Sequence, residues 1–226
     1  MKKIFGIAMT LVIVAVLLMG CGGKGSNTTT APATSTTAKT TATTSTTASS
    51  GNGLTDLLGK AAGITNFYCE VTIISPEGTQ TMKQWTRMGN PTKLRMGITV
   101  SDQTTIMIYD GQFYYMYDPA SKIAYKISAT SAEQYSSAAD ETASLNQYSP
   151  VLIGSETING LDCAVYQYTV QGVTTKMWIW KQYGLPVKVV SGTTTMEYSN
   201  YSFAAIADSM FQMPSDAIMM TFPGMM

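Results

Sequence analysis

Between Phe67 and Phe203 the chain consists largely of short β-prone runs separated by turn residues, and this punctuation limits what it can fold into. The runs FYCEVTIIS, QTMKQWTRM, TKLRMGITV, TTIMIYD, QFYYMYD and KIAYKIS follow one another with PEG, MGNP, SDQ, DG and DPAS between them. They resume as PVLIGSETI, DCAVYQYTV, TKMWIWK, LPVKVVS and TTMEYSNYSF, divided at Asn159-Gly160, Gln171-Gly172, Tyr183-Gly184 and Ser191-Gly192. Connections this short join antiparallel neighbours, because a parallel crossover needs a much longer segment. Asp110-Gly111 reads as a two-residue type I′ hairpin, in which glycine accepts positive φ and aspartate tolerates it. Strand twist accumulates across so many strands, so the sheet curls rather than staying flat. The expected fold class is α+β, mainly antiparallel β: a curved sheet of about 10–11 strands coiling toward a barrel or half-barrel, with short helices filling its open side.

Two segments supply those helices. LTDLLGKAAGI places Leu54, Leu57, Leu58, Ala61 and Ala62 at helical spacing, with Gly63 as a stop. The interval Ser131 to Tyr148, SAEQYSSAADETASLNQY, is polar and predicts one or two marginal helices under a long loop.

The N-terminus carries a different signal. Lys2 and Lys3 precede an apolar run from Ile4 to Leu17, and small Gly20 stands before Cys21. The run falls short of the roughly 20 apolar residues a spanning helix needs and fits a secretory signal, with an uncleaved anchor helix as the alternative. Leu18, Gly20 and Cys21 resemble the bacterial lipobox, which implies palmitate or another acyl lipid on Cys21. From Ser26 to Ser50, seventeen of twenty-five residues are Ser or Thr and none is large and apolar. Such a segment buries nothing that could offset its ordering entropy and reads as a tether, with an r.m.s. span of about 30 Å. The expected organisation is a lipoprotein signal peptide over 1–20, a lipidated cysteine and tether over 21–52, and one folded domain over 53–226. Expected localisation is extracytoplasmic, on the outer face of the cell membrane or facing the periplasm in a two-membrane cell.

Composition then removes whole classes of chemistry. The chain has no histidine, which excludes Ser-His-Asp and Cys-His catalysis and imidazole metal ligands. All fourteen acidic residues follow Gly53, whereas Lys2, Lys3, Lys24 and Lys39 precede it, so the folded part is net acidic and unsuited to nucleic acid. Asp110 and Asp118 read as turn residues, Asp140 and Glu141 as solvent-exposed, and Glu70 and Glu197 as outward-facing strand carboxylates. No phosphate loop, nucleophile elbow or metal-ligand spacing is present, so no cofactor, metal or enzymatic reaction is expected. Cys69 and Cys163 can pair as a disulfide in an oxidising compartment, the alternative being two small buried hydrophobes.

Period-two alternation separates the two faces of the sheet. Met82, Gln84, Thr86 and Met88 oppose Lys83, Trp85 and Arg87, while Leu94, Met96 and Ile98 oppose Lys93 and Arg95. Sixteen residues are Met, of which only Met1, Met9 and Met19 precede Cys21, and a Met-lined face adapts to ligands of uneven shape. The candidate ligand-pocket residues are Met82, Leu94, Met96, Ile98, Ile106, Ile108, Phe113, Tyr115, Met177 and Ile179. Such a pattern equally describes an ordinary core.

The blocks YDGQFYYMYDPASKIAYKI, GLDCAVYQYTV, KMWIWKQYGLPVKVV and FQMPSDAIM, in this order, resemble the LolA/LolB lipoprotein-carrier superfamily and its LppX/LprG-like lipoprotein relatives. Tyr109-Asp110-Gly111, Tyr117-Asp118-Pro119, Trp178, Gly184-Leu185-Pro186, Lys188, Phe211 and Pro214 carry the likeness; Trp180 and Ser215-Asp216 depart from it. The resemblance implies an unclosed barrel whose concave apolar face binds a lipid or other hydrophobic ligand for carriage or transfer. The alternative from the same fold is an envelope sensor or protein-interaction module with a filled barrel.

Overall fold

A computed structural model describes residues 52–100, 102–128 and 137–220; the signal segment, Cys21 and the tether lie outside them. Helix α1 (Asn52–Ala62) leads into six strands: β1 (Asn66–Ser75), β2 (Gly78–Arg87), β3 (Lys93–Val100), β4 (Gln103–Tyr109), β5 (Phe113–Asp118) and β6 (Ile123–Ser128). Helix α2 (Ala138–Ser144) and a 3-10 turn (Leu145–Tyr148) follow, as the polar interval predicted. Next come β7 (Val151–Ile158), β8 (Leu161–Val170), β9 (Val173–Trp180), β10 (Leu185–Ser191) and β11 (Thr194–Ser202). A second 3-10 turn (Asp208–Phe211) and a short β12 (Ile218–Met220) end the described chain.

All twelve strands form one sheet in the order β12-β6-β5-β4-β3-β2-β1-β11-β10-β9-β8-β7, and every pairing but one is antiparallel. Each of the eleven expected runs is a strand. The twelfth, β12, pairs parallel with β6, guided by Ile218 N–H donating to Lys122 O at 2.7 Å. Three residues are too few to show a period, so the sequence carries no sign of it.

Turn geometry corrects one expectation. Asn159-Gly160 and Gln171-Gly172 have positive φ at both residues, as a type I′ hairpin requires. At Asp110-Gly111 only Gly111 does, with φ 104°. Asp110 instead accepts from the backbone of Gln112 and Phe113 at 2.8 and 2.9 Å and from the Tyr115 hydroxyl at 3.0 Å, making a side-chain-capped turn of three residues. A Cβ on Gly111 would stand 2.3 Å from Pro91 Cγ, so the turn packs too closely for a larger residue.

Cross-strand partners share a face, which defines two surfaces. Cys69, Gln84, Met96, Met107, Met116 and Tyr125 form one continuous row across β1 to β6. We call this the inner face, because α1 and α2 lie over its extension across β11, β10, β9 and β8. The neighbouring row Tyr68, Trp85, Arg95, Ile108, Tyr115 and Lys126 belongs to the outer face. Helix α1 packs on α2, and α2 on β10. Gly184, at φ 69°, approaches α1 so closely that a Cβ would lie 2.0 Å from Leu57 O, which pins the β9–β10 turn to the helix.

Candidate functional site

Helix α2 starts at a capping box: Ser137 Oγ accepts from Asp140 N–H, and the Asp140 carboxylate accepts from Ser137 N–H. This start fixes which residues of a seven-residue helix meet the sheet. Ala138, Ala139 and Thr142 are buried, as is Leu145 just beyond. Small side chains let the helix backbone approach, and Ala138 N–H donates to Gln84 Oε1 at 3.1 Å. Cys69 Sγ contacts the same oxygen at 3.8 Å.

The fourth helical position, Glu141, is directed at the sheet. Tyr198 Oη donates to Glu141 Oε2, while Tyr198 itself is 3 % exposed. Burial dominates the carboxyl and pushes it from 4.5 up to about 7; the Tyr198 hydrogen bond opposes this and the nearby Asp140 charge reinforces it. Burial first, and the Glu141 charge after it, raise the Tyr198 and Tyr168 hydroxyls and the Cys69 thiol. Cys69 is therefore a protonated, unreactive thiol, not a nucleophile. Thr86 and Thr142 hydroxyls are buried with no hydrogen-bond partner among the described residues.

The expectation that Glu141 is solvent-exposed is thus overturned. Its partner lies 57 residues further along the chain, a separation that no local pattern reveals. Asp140 serves the cap. Asp110 and Asp118 are turn residues as expected, Asp118 accepting from Ala120 N–H and Ser121 Oγ at 2.9 and 2.6 Å. Glu70 lies on the outer face and holds Tyr68 and Asn200.

The ten pocket candidates divide between the faces. Met82, Leu94, Met96, Ile98, Met177 and Ile179 share the inner face, linked through Val71, Tyr198, Met196 and Val189. Ile106, Ile108, Phe113 and Tyr115 lie on the outer face, because β4 and β5 turn Met107, Tyr109, Tyr114 and Met116 inward. Beside them, the C-terminal segment straps the outer face of β2 and β3. Arg87 reaches Asp208 and Ile206 O, its guanidinium lies 5.1 Å from the Phe211 ring centre, and Arg95 donates to Met210 O at 3.3 Å. Ile108 and Phe211 are buried.

Nor do the cysteines pair. Both are free and buried, Cys69 on the inner face of β1 and Cys163 beside Trp180 on β8. Three strands separate β1 from β8, about 19 Å along the sheet and far beyond disulfide reach.

Over β1 and β8 to β11 the inner face is packed by the chain itself, while Met82, Ile98, Met116 and Tyr125 on the same face are half-buried. Leu57, Ile64, Ala138, Ala139 and Leu145 pack against Phe67, Val71, Tyr166, Met177, Ile179 and Val189 in one cluster. A second cluster joins Leu94, Met96, Met107 and Tyr114, and Met82 touches both. Met96 and Met177 are only 3 % and 2 % exposed. Among the described residues, no group of His, Cys, Asp and Glu could hold a metal ion, and no helix is long and apolar enough to cross a membrane.

No protein-family model matches the chain, and no protein of curated function matches its sequence. Among solved structures, an uncharacterized conserved protein from Thermus thermophilus superposes with a TM-score of 0.54 at 10 % identity, over 76 % of this chain and 98 % of that one. MucB superposes with a TM-score of 0.51 at 13 % identity, over 74 % of this chain. The match covers 64 % of MucB, less than two thirds of its length. The fold is a mainly antiparallel, curved half-barrel, similar to that of MucB. A LolA superfamily protein from Nitrosomonas europaea aligns more loosely, with a TM-score of 0.36 at 13 % identity over 71 % of this chain and 97 % of that one.

Proposed function

We propose that this chain is an exported interaction module of the cell envelope, anchored by lipid on Cys21 and held off the membrane by the Ser26–Ser50 tether. Its half-barrel meets a protein partner instead of enclosing a lipid. The observation that carries this reading is the occupied inner face, where Met96, Met107, Met177 and Ile179 are buried beneath or beside the chain's own side chains. A carrier needs a preformed apolar cavity of about 300–1,000 Å³, and here helices and turns of the chain already cover the face over β1 and β8 to β11.

Two features support a protein partner. The outer edge of the sheet is β7, eight residues long, with Val151 and Ile153 exposed and its one carboxylate, Glu156, engaged by Trp178 Nε1 at 2.6 Å. Long apolar edges offer unpaired backbone groups to an added strand. In addition MucB, which is similar in fold, forms a complex with MucA in Pseudomonas aeruginosa. No catalytic step belongs to this function.

Native mass spectrometry of the chain purified from membranes, combined with fluorescent fatty-acid titration, tests the reading. The expected result is a ligand-free domain with no saturable uptake. Stoichiometric lipid would reinstate the carrier alternative. Incorporation of radiolabelled palmitate, lost in Cys21→Ser, checks the anchor separately.

A further inference from the structure

A shallow groove of about 350 Å³ opens beside the C-terminal end of α1, at the border of the main cluster, to which its lining residue Ile64 belongs. Its floor is aromatic. Tyr183 and Phe203 stack with ring centres 4.2 Å apart, and Trp180 meets Tyr183 edge-on at 4.5 Å. Its rim is polar, formed by Thr65, Asn66 and Gln182 together with Lys60. We propose that this groove binds a neutral sugar, one pyranose ring of an oligosaccharide lying on the Tyr183–Phe203 pair.

The walls are braced independently of any ligand. Lys60 Nζ lies 2.9 Å from Lys181 O and ties the helix to the β9–β10 turn that Gly184 presses against it. Asn66 Nδ2 donates to Phe203 O and Ala204 O at 3.1 and 2.9 Å, which holds the Phe203 backbone and leaves the Asn66 carbonyl as an acceptor. Such a preformed site loses little freedom on binding.

Charge decides the ligand class. Lys60, the one charged residue lining the groove, is paired with Asp56 at 2.8 Å, so neither a phosphate nor a carboxylate finds an unpaired cation there. A pyranose matches what remains: its C–H groups pack against the aromatic side chains that line the groove, and its hydroxyls exchange hydrogen bonds with amides and a threonine.

Gly59 is the independent sign. It sits inside α1, where glycine is the poorest helix former after proline. A Cβ there would meet nothing within 4 Å, so no packing contact explains the missing side chain. What glycine does at this position is leave the groove wall open.

The test uses the full chain with chitotriose and maltotriose as probes, followed by saturation-transfer NMR and tryptophan fluorescence. One of the two sugars should bind saturably. Gly59→Leu, which improves helix propensity while filling the groove, should weaken that binding about tenfold or more, equivalent to about 1.4 kcal/mol. Phe203→Leu should do the same by removing a stacking face, and Gly59→Ala should leave the affinity within about threefold of the parent. Absence of saturable binding by both sugars, or undiminished binding in Gly59→Leu, would overturn the proposal.

Discussion

The two halves of the sheet bury their side chains by different means. Across β1 and β8 to β11, a single cluster packs the inner face under α1, α2 and the turn at Leu145. Across β2 to β6 the inner cluster is smaller, built on Leu94, Met96, Met107 and Tyr114, and the outer face is strapped by residues 206–211. One half is covered by helices on its inner side; the other carries a small inner cluster and a strap along the outer side of β2 and β3. Apolar alternation reports an inner face reliably only where the opposite face is wet.

Replacing single isoleucines gives the strongest test of that comparison. Ile179, on the inner face under the helices, and Ile108, on the outer face, are both fully buried. Truncation of either to alanine should destabilise by about 3–4 kcal/mol, since each leaves a cavity in packed surroundings. Ile106→Ala, also outer but half-buried, should cost about 1 kcal/mol. Urea unfolding of the three variants reads the order directly. A mild effect at Ile108 would mean that the outer strap is not a true second core.

The same contrast explains how much of the molecule its sequence reveals. The strands are legible because turn residues bound each run, and the inner face of β2 and β3 because Lys83, Arg87, Lys93 and Arg95 mark the other side. In β4 and β5 this marker is missing. Ile106, Ile108, Phe113 and Tyr115 are apolar on the outer face and Met107, Tyr109, Tyr114 and Met116 are apolar on the inner one, so alternation could not assign the faces. Glu141 was hidden for a related reason: Asp140 and Thr142 beside it are polar, and its partner Tyr198 lies on a distant strand. The groove floor escaped notice because Tyr183 and Phe203 belong to separate turns that meet only in three dimensions.

A pH titration separates the halves with a smaller effect, because Glu141 belongs to the helix-covered half alone. Its carboxyl is raised from 4.5 to about 7, so the native state holds the proton more tightly than the unfolded chain. The associated stability is fully present below about pH 4.5 and is lost as pH rises through 7. Because part of the side chain remains accessible, the full conversion is discounted, leaving about 2 kcal/mol lost between pH 5 and 7.5. Glu141→Gln should flatten that window. If the slope persists in this variant, another group carries the pH dependence.

The smallest expected effect is none, and it distinguishes a core held by packing from one held by a crosslink. A bridge from Cys69 to Cys163 would close a loop of roughly 90 residues and contribute about 4.5 kcal/mol through the unfolded state. Both thiols are free and buried, and β11, β10 and β9 stand between their strands. Adding a reductant should therefore leave the urea midpoint unchanged, and both thiols should react with a thiol reagent only after unfolding. A midpoint that falls on reduction would require the two cysteine strands to approach one another, which is incompatible with this strand order. Since the cysteines sit in the helix-covered half, that half draws its stability from the fit of α1 and α2 against the sheet and not from a crosslink.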